Sequence, residues 1–137
     1  MSGATELGRD EAEAVAERLR SLAAAARLQI LSRLQAGEAS VGELERRTGL
    51  KQPGLSQQLA ELRQAGWVST RREARSVVYR LADPRTETLV AALFVLLAEG
   101  GDAKSLVARL GAPGAPEVNP GRPVEAAVFA RTGGQAA

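Results

Sequence analysis

Apolar positions follow two rhythms along this chain. From Asp10 onward they recur at spacings of three and four, the period of a helix that buries one face. Ala12, Val15, Leu19 and Leu22 form the first set, with Glu11, Glu13, Glu17, Arg18 and Arg20 on the other side. Leu28, Ile30, Leu31 and Leu34 form a second set, which ends at Gly37. Between them lies Ala23-Ala24-Ala25-Ala26, with no Pro, Gly or Asp to stop a helix. Residues 10–36 therefore read equally as one bent helix or as two. Residues 1–9 are small and polar and read as a disordered tail.

Ser40 followed three residues later by Glu43 is a capping box, which starts a short helix at Val41. Gly49 stops it. Pro53 suits the first position of the next helix, where its missing N–H costs nothing. Leu55, Leu59 and Leu62 give that helix a buried stripe, and Gly66 ends it. The rhythm then changes to two. Val68 and Thr70, then Val77, Tyr79 and Leu81, alternate with polar neighbours and predict two strands joined by Glu73-Ala74-Arg75-Ser76. Trp67 reads as a core residue or the start of the strand, and Tyr79 as packing on the helices. Two helices around a short Gly-containing turn, with a hairpin after them, predict a mainly α fold with a small β-hairpin, a winged helix-turn-helix.

Asp83-Pro84 restarts a helix. Residues 84–99 are apolar on nearly every face, and a helix apolar all round is buried all round. In so short a chain that predicts a partner subunit; a central core helix in a monomer is the alternative. Residues 102–110 follow Gly100-Gly101 as a further short helix. Residues 111–123 hold four of the six prolines and predict an irregular connection, and Val124 to Ala130 form a small apolar patch. The organisation is thus a tail at 1–9, one DNA-binding and dimerisation domain at 10–100, and a C-terminal extension at 101–137.

The formal net charge of +2 hides an asymmetry. Residues 46–85 carry nine Arg/Lys against three Asp/Glu, a local +6, and the remainder sums to −4. Positive charge confined to the helix-turn-helix and hairpin is the footprint of a polyanion binder. The chain has no cysteine and no histidine, so disulfides are excluded and no thiol or imidazole serves as nucleophile, base or metal ligand. No glycine-rich phosphate loop follows a strand, and no two carboxylates converge. No catalytic residue, metal site or cofactor is expected, and the chain is not read as an enzyme. The N-terminus lacks the pattern of a signal peptide, and the run Leu89 to Ala98 is too short to span a bilayer. A soluble cytoplasmic protein without membrane contact is the expectation.

On a helical wheel Gln57, Ala60 and Gln64 point away from the leucine stripe, flanked by Ser56. Ser56, Gln57 and Gln58 lie in the first turns, the part of a reading helix that enters the major groove. Glutamine pairs with adenine through donor and acceptor together, and serine is permissive. Small Gly54 and Ala60 allow close approach. Lys51 and Gln52, just ahead of the helix, can reach phosphates or a base edge. Arg71, Arg72 and Arg75 cluster at the hairpin tip, with Arg80 on the returning strand, and suit phosphates or a narrow minor groove. The competing reading of the same pattern is a winged helix used for protein contact or generic nucleic-acid binding.

The segment Leu22 to Leu81 resembles the ArsR family of bacterial winged-helix repressors. The residues that carry the likeness are Ala26-Arg27-Leu28-Gln29-Ile30-Leu31, Glu43-Leu44, Gln52-Pro53-Gly54-Leu55-Ser56-Gln57-Gln58-Leu59, Leu62 to Gly66, and Arg72 to Leu81. The resemblance implies a homodimer joined through first and last helices. It implies repression of the protein's own operon by occupancy of an inverted-repeat operator in double-stranded DNA, and release by a signal. It also implies departures. Ala24-Ala25-Ala26 replaces an Asp-Pro-Thr-like break, and Gln58 stands where a histidine is frequent. Ser40 and Gly42 fall near the family's metal-binding cysteines. Ser32 and Ala98 fall near the two cysteines of its persulfide sensors, which the reading helix otherwise resembles. A small-molecule inducer is allowed by this reading but not identified by it.

Overall fold

The computed structural model describes residues 6–111. Most of the 111–123 connection, the 124–130 patch and the start of the N-terminal tail lie outside the described residues. Residues 10–36 form two helices, α1 (Arg9–Arg20) and α2 (Ala25–Gln35). No helix breaker separates them; side-chain bonds, local and remote, hold the junction. Ser21 Oγ donates to the Arg18 carbonyl at 2.6 Å and accepts from the Trp67 indole N–H at 2.7 Å. Arg27 Nη1 donates to the Ser21 carbonyl at 2.8 Å. Ala24 then sits in extended backbone at φ −148°, ψ 139° and opens α2.

The strands differ from the expected pair. A third, two-residue strand, β1 (Ala39–Ser40), joins β2 (Val68–Glu73) and β3 (Ser76–Leu81) in an antiparallel sheet of order β1-β3-β2. Ala39 pairs with Tyr79 and Ser40 with Val78, so Ser40 ends a strand and caps a helix at once. Such a short strand leaves no period-two pattern to detect. The hairpin is also tighter than expected. Glu73 pairs with Ser76, and only Ala74-Arg75 form the loop, with Ala74 in the left-handed region at φ 56°. Val78, on the outward side of the predicted alternation, is buried, while Val77 and Tyr79 are half-buried. As the central strand, β3 is flanked on both sides.

The core of the unit that ends at Val90 comes from α2, from α3 (Val41–Thr48), from α4 (Gly54–Gln64) and from the sheet. α2 packs on α3, α4 and β3. Ile30, Leu31, Leu44, Leu55, Leu59 and Leu62 are each at most 1 % exposed. Each such side chain contributes about 1.5–3 kcal/mol through loss of apolar surface to water. α1 is the exception, since none of its residues is buried and Val15 and Leu19 are 45 % and 49 % exposed.

Asp83 caps α5 (Pro84–Leu93) by accepting the Thr86 N–H at 2.8 Å, and that bond holds the Asp83 carboxyl below its ordinary range. The uniform helix expected over 84–99 instead widens to a π-helix at Phe94–Ala98. The second compact unit begins at Ala91. Its described part holds the rest of α5, the π-helical segment and α6 (Ala103–Gly111). Val95 is buried there, and Glu99 accepts a bond from Arg109 at 2.7 Å. Leu96 and Leu97 are 44 % and 79 % exposed in the single chain. Among the described residues no helix is long and apolar enough to cross a membrane.

Candidate nucleic-acid interface

The interface begins with a short helix fixed at both ends. Ser40 Oγ accepts the Glu43 N–H at 3.2 Å, and Glu43 Oε1 accepts the Ser40 N–H at 2.9 Å. Both halves of the expected capping box are present. Gly49 at φ 78° ends α3, in a conformation that penalises any Cβ. Thr48 Oγ1 donates to the Leu44 carbonyl at 2.6 Å and accepts the Leu50 N–H at 3.1 Å, tying down the turn.

α4 starts one residue later than expected, with Pro53 as its N-cap. Proline has no side-chain acceptor, and Gln52 supplies one: its Oε1 accepts the Ser56 N–H at 3.1 Å. The Lys51 and Pro53 carbonyls accept from the Leu55 and Gln57 amides at 2.9 and 3.1 Å. The Gln52 side-chain oxygen is thus committed to capping, and its amide N–H groups bond nothing among the described residues. Lys51, Ser56, Gln57 and Ala60 are exposed, backed by fully buried Leu55, Leu59 and Leu62. Arg63 and Gln64 continue the exposed face through the last turn.

Gln58 is engaged within the protein. Its side chain is half-buried, and Oε1 accepts Arg27 Nε at 2.7 Å. Arg27 Nη2 also bonds Glu61, so one guanidinium ties the α1–α2 junction to the flank of α4. Arg18 does the same at the end of the helix. Its Nη1 donates to the Ala65 carbonyl at 2.7 Å, and its guanidinium lies 4.0 Å from the Trp67 ring centroid. The sequence gives no local sign of these ties, because each joins residues more than thirty positions apart.

The hairpin arginines divide in two. Arg72 and Arg75 are exposed and make no ion pair among the described residues. Arg71 is held by Glu38, from Nη2 at 2.7 Å and from Nε at 3.2 and 3.3 Å to the two carboxylate oxygens. Its Nη2 also lies 3.5 Å from Glu73. The hydrogen bond to Glu38, then that residue's charge, raises the Arg71 guanidinium above its ordinary value. Arg80 Nε bonds Ser69 Oγ at 3.2 Å across the strand pair. Ser32 is exposed on α2, and Ala98 ends the π-helical segment.

Comparison with known proteins agrees with this geometry. Residues 25–70 match the model of the arsR family of bacterial regulatory proteins. The chain is 50 % identical over 82 residues to a biofilm growth-associated repressor of Agrobacterium fabrum, covering 60 % of this chain and 70 % of that one. It is 44 % identical over 85 residues to the transcriptional activator HlyU of Vibrio cholerae, covering 62 % and 78 %. The solution structure of the homodimeric winged helix-turn-helix DNA-binding domain of Mb0332 from Mycobacterium bovis superposes with a TM-score of 0.60 at 32 % identity, over 72 % of this chain and 92 % of that one. An exposed polar helix face on a buried leucine stripe, a basic two-residue hairpin and these likenesses agree: the chain belongs to the arsR family of bacterial regulatory proteins.

Proposed function

We propose that this protein is a homodimeric, sequence-specific DNA-binding repressor of its own operon, acting in the bacterial cytoplasm on an inverted-repeat operator. The observation that carries the reading is the face of α4: Ser56, Gln57, Ala60 and Gln64 stand outward from a stripe of leucines no more than 1 % exposed. Gln57 reads a base edge, and Ser56 tolerates or assists its neighbour. Lys51, Arg72 and Arg75 take phosphates, which fix register without reading sequence. Gln52 holds the helix N-terminus and leaves its amide group for a contact. Residues 10–100 carry both DNA binding and dimerisation. The exposed apolar residues of α1 and of the segment after α5 support pairing through the first and last helices. Release of the operator by a signal, a small-molecule inducer for example, is part of this reading.

The test is a gel-shift titration of the protein against its own upstream DNA and a random duplex at one fixed salt concentration. Specific binding by about 10³-fold or more, with half-sites spaced by about 34 Å, is the expected result. Equal affinity for both duplexes would leave a generic nucleic-acid or protein-contact module. A reporter fused to that upstream DNA should rise when the gene is deleted; a fall would make the protein an activator.

A further inference from the structure

Three of the hairpin's four arginines, Arg71, Arg72 and Arg75, lie toward its tip, yet they are not electrostatically equivalent. Arg71 offers two of its nitrogens to Glu38 and sits beside Glu73, so one cation faces two carboxylates. The pair forms on a diagonal of the sheet. Glu38 immediately precedes β1, Arg71 pairs with Val78, and Ser40 pairs with Val78 from the other side. Glu38, two residues before Ser40, meets Arg71 on the diagonal across the central strand. Both side chains remain partly open, at 38 % and 47 % exposure, so the pair is accessible to a passing polyanion. A phosphate approaching Arg71 must displace a two-point carboxylate bond and settle among two negative charges. At such separations, inside a Debye length of about 8 Å, salt screens that repulsion only in part.

We propose that Glu38 sets how many phosphates the hairpin engages: it holds Arg71 off the phosphate backbone, so that the hairpin grips DNA through Arg72 and Arg75. This rests on the DNA-binding reading above. Its consequence is for the strength and salt dependence of binding. Phosphate contacts strengthen binding to every sequence alike, so withholding one lowers affinity for all duplexes and flattens the salt slope. A bare structural strap makes a different prediction. Glu38→Gln keeps a hydrogen-bond acceptor for Arg71 and removes the charge, so a strap would survive while the repulsion would not.

The experiment measures fluorescence anisotropy of a random-sequence duplex with the full chain across a salt series. The variants are Glu38→Gln, Arg71→Ala and the double variant, with Arg72→Ala as calibration for one lost phosphate. Glu38→Gln should bind the random duplex more tightly than wild type, with a log–log salt slope steeper by about 0.9. Its advantage over wild type should therefore shrink about 3.5-fold between 50 and 200 mM salt. Arg71→Ala should keep the wild-type slope, and the double variant should return to it. An unchanged slope in Glu38→Gln, or an Arg71→Ala slope as flat as that of Arg72→Ala, would overturn the proposal while leaving DNA binding intact. A wild-type protein that binds neither duplex at low salt would overturn the DNA reading and this inference with it.

Discussion

The reading helix and the hairpin are positioned by different physics. α4 rests on three leucines that are at most 1 % exposed and is tied at its flank by Arg27 and at its end by Arg18. The hairpin tip, exposed from Arg71 to Ser76, projects from the sheet on backbone pairing, and its side-chain fastening is an exposed ion pair. Burial fixes orientation to a fraction of an ångström, because interiors are close-packed. An exposed ion pair contributes at most about 1 kcal/mol and orients weakly. The rigid element carries the groups that must meet base edges in one geometry. The looser element carries groups that need only reach a phosphate. Base readout tolerates little error in angle, whereas charge neutralisation tolerates much.

The largest effect that sharpens this contrast should come from Arg27. Arg27→Ala removes bonds to the Ser21 carbonyl, Gln58 and Glu61 together. The guanidinium is 18 % exposed, and truncation strands its partners. Loss of charge-assisted bonds predicts a destabilisation of about 1.5–3 kcal/mol by urea unfolding. Arg27→Lys should recover less than half, because an ammonium cannot reproduce a planar fork reaching three partners. Full recovery by lysine would show that charge rather than geometry anchors the helix.

Gln57→Ala comes next and should leave stability untouched, since the side chain is exposed and bonds nothing among the described residues. It should cost about 1–3 kcal/mol in operator binding and relax preference at one base position, read by competition among operators substituted one base at a time. Arg72→Ala is the counterpart on the hairpin. It should weaken operator and random DNA alike and flatten the salt slope by about 0.9. If Gln57→Ala flattened the slope, or Arg72→Ala relaxed base preference, the division of labour between the two regions would be reversed.

These contrasts also show what the sequence could reveal. The helix-turn-helix was legible because its signals are local: Ser40 with Glu43, Gly49, the leucines at 55, 59 and 62, and Gly66 each act within one turn of chain. The break between α1 and α2 was not, because the Ser21 side chain that marks it is bonded by Trp67, 46 positions away. The same holds for Gln58 and Arg71. Both are polar residues where a reading element should have them, and each is engaged by a partner remote in sequence, Arg27 and Glu38. Polarity and position marked the candidate face. Which of its members remain free is a property of tertiary packing, and β1 escaped notice for the related reason that two residues cannot show a period.

The smallest effect tests how freely the hairpin tip is built. Ala74 occupies φ 56° in a two-residue loop, a region that costs an L-residue about 1–2 kcal/mol. Glycine removes that cost but loses about 0.5–1 kcal/mol of extra backbone entropy on folding. The difference favours Ala74→Gly, by about 0.5 kcal/mol in thermal or urea unfolding. Because β2 and β3 remain in register, Arg72 and Arg75 keep their places and affinity for random duplex should stay within about twofold of wild type. The same substitution in a helix as tightly packed as α4 would destabilise, since there the backbone is already relaxed and only the entropy term remains. A loss of stability at Ala74 would mean that the tip is held in its left-handed conformation by more than the strand register, and the hairpin would then belong with the rigid part of the molecule.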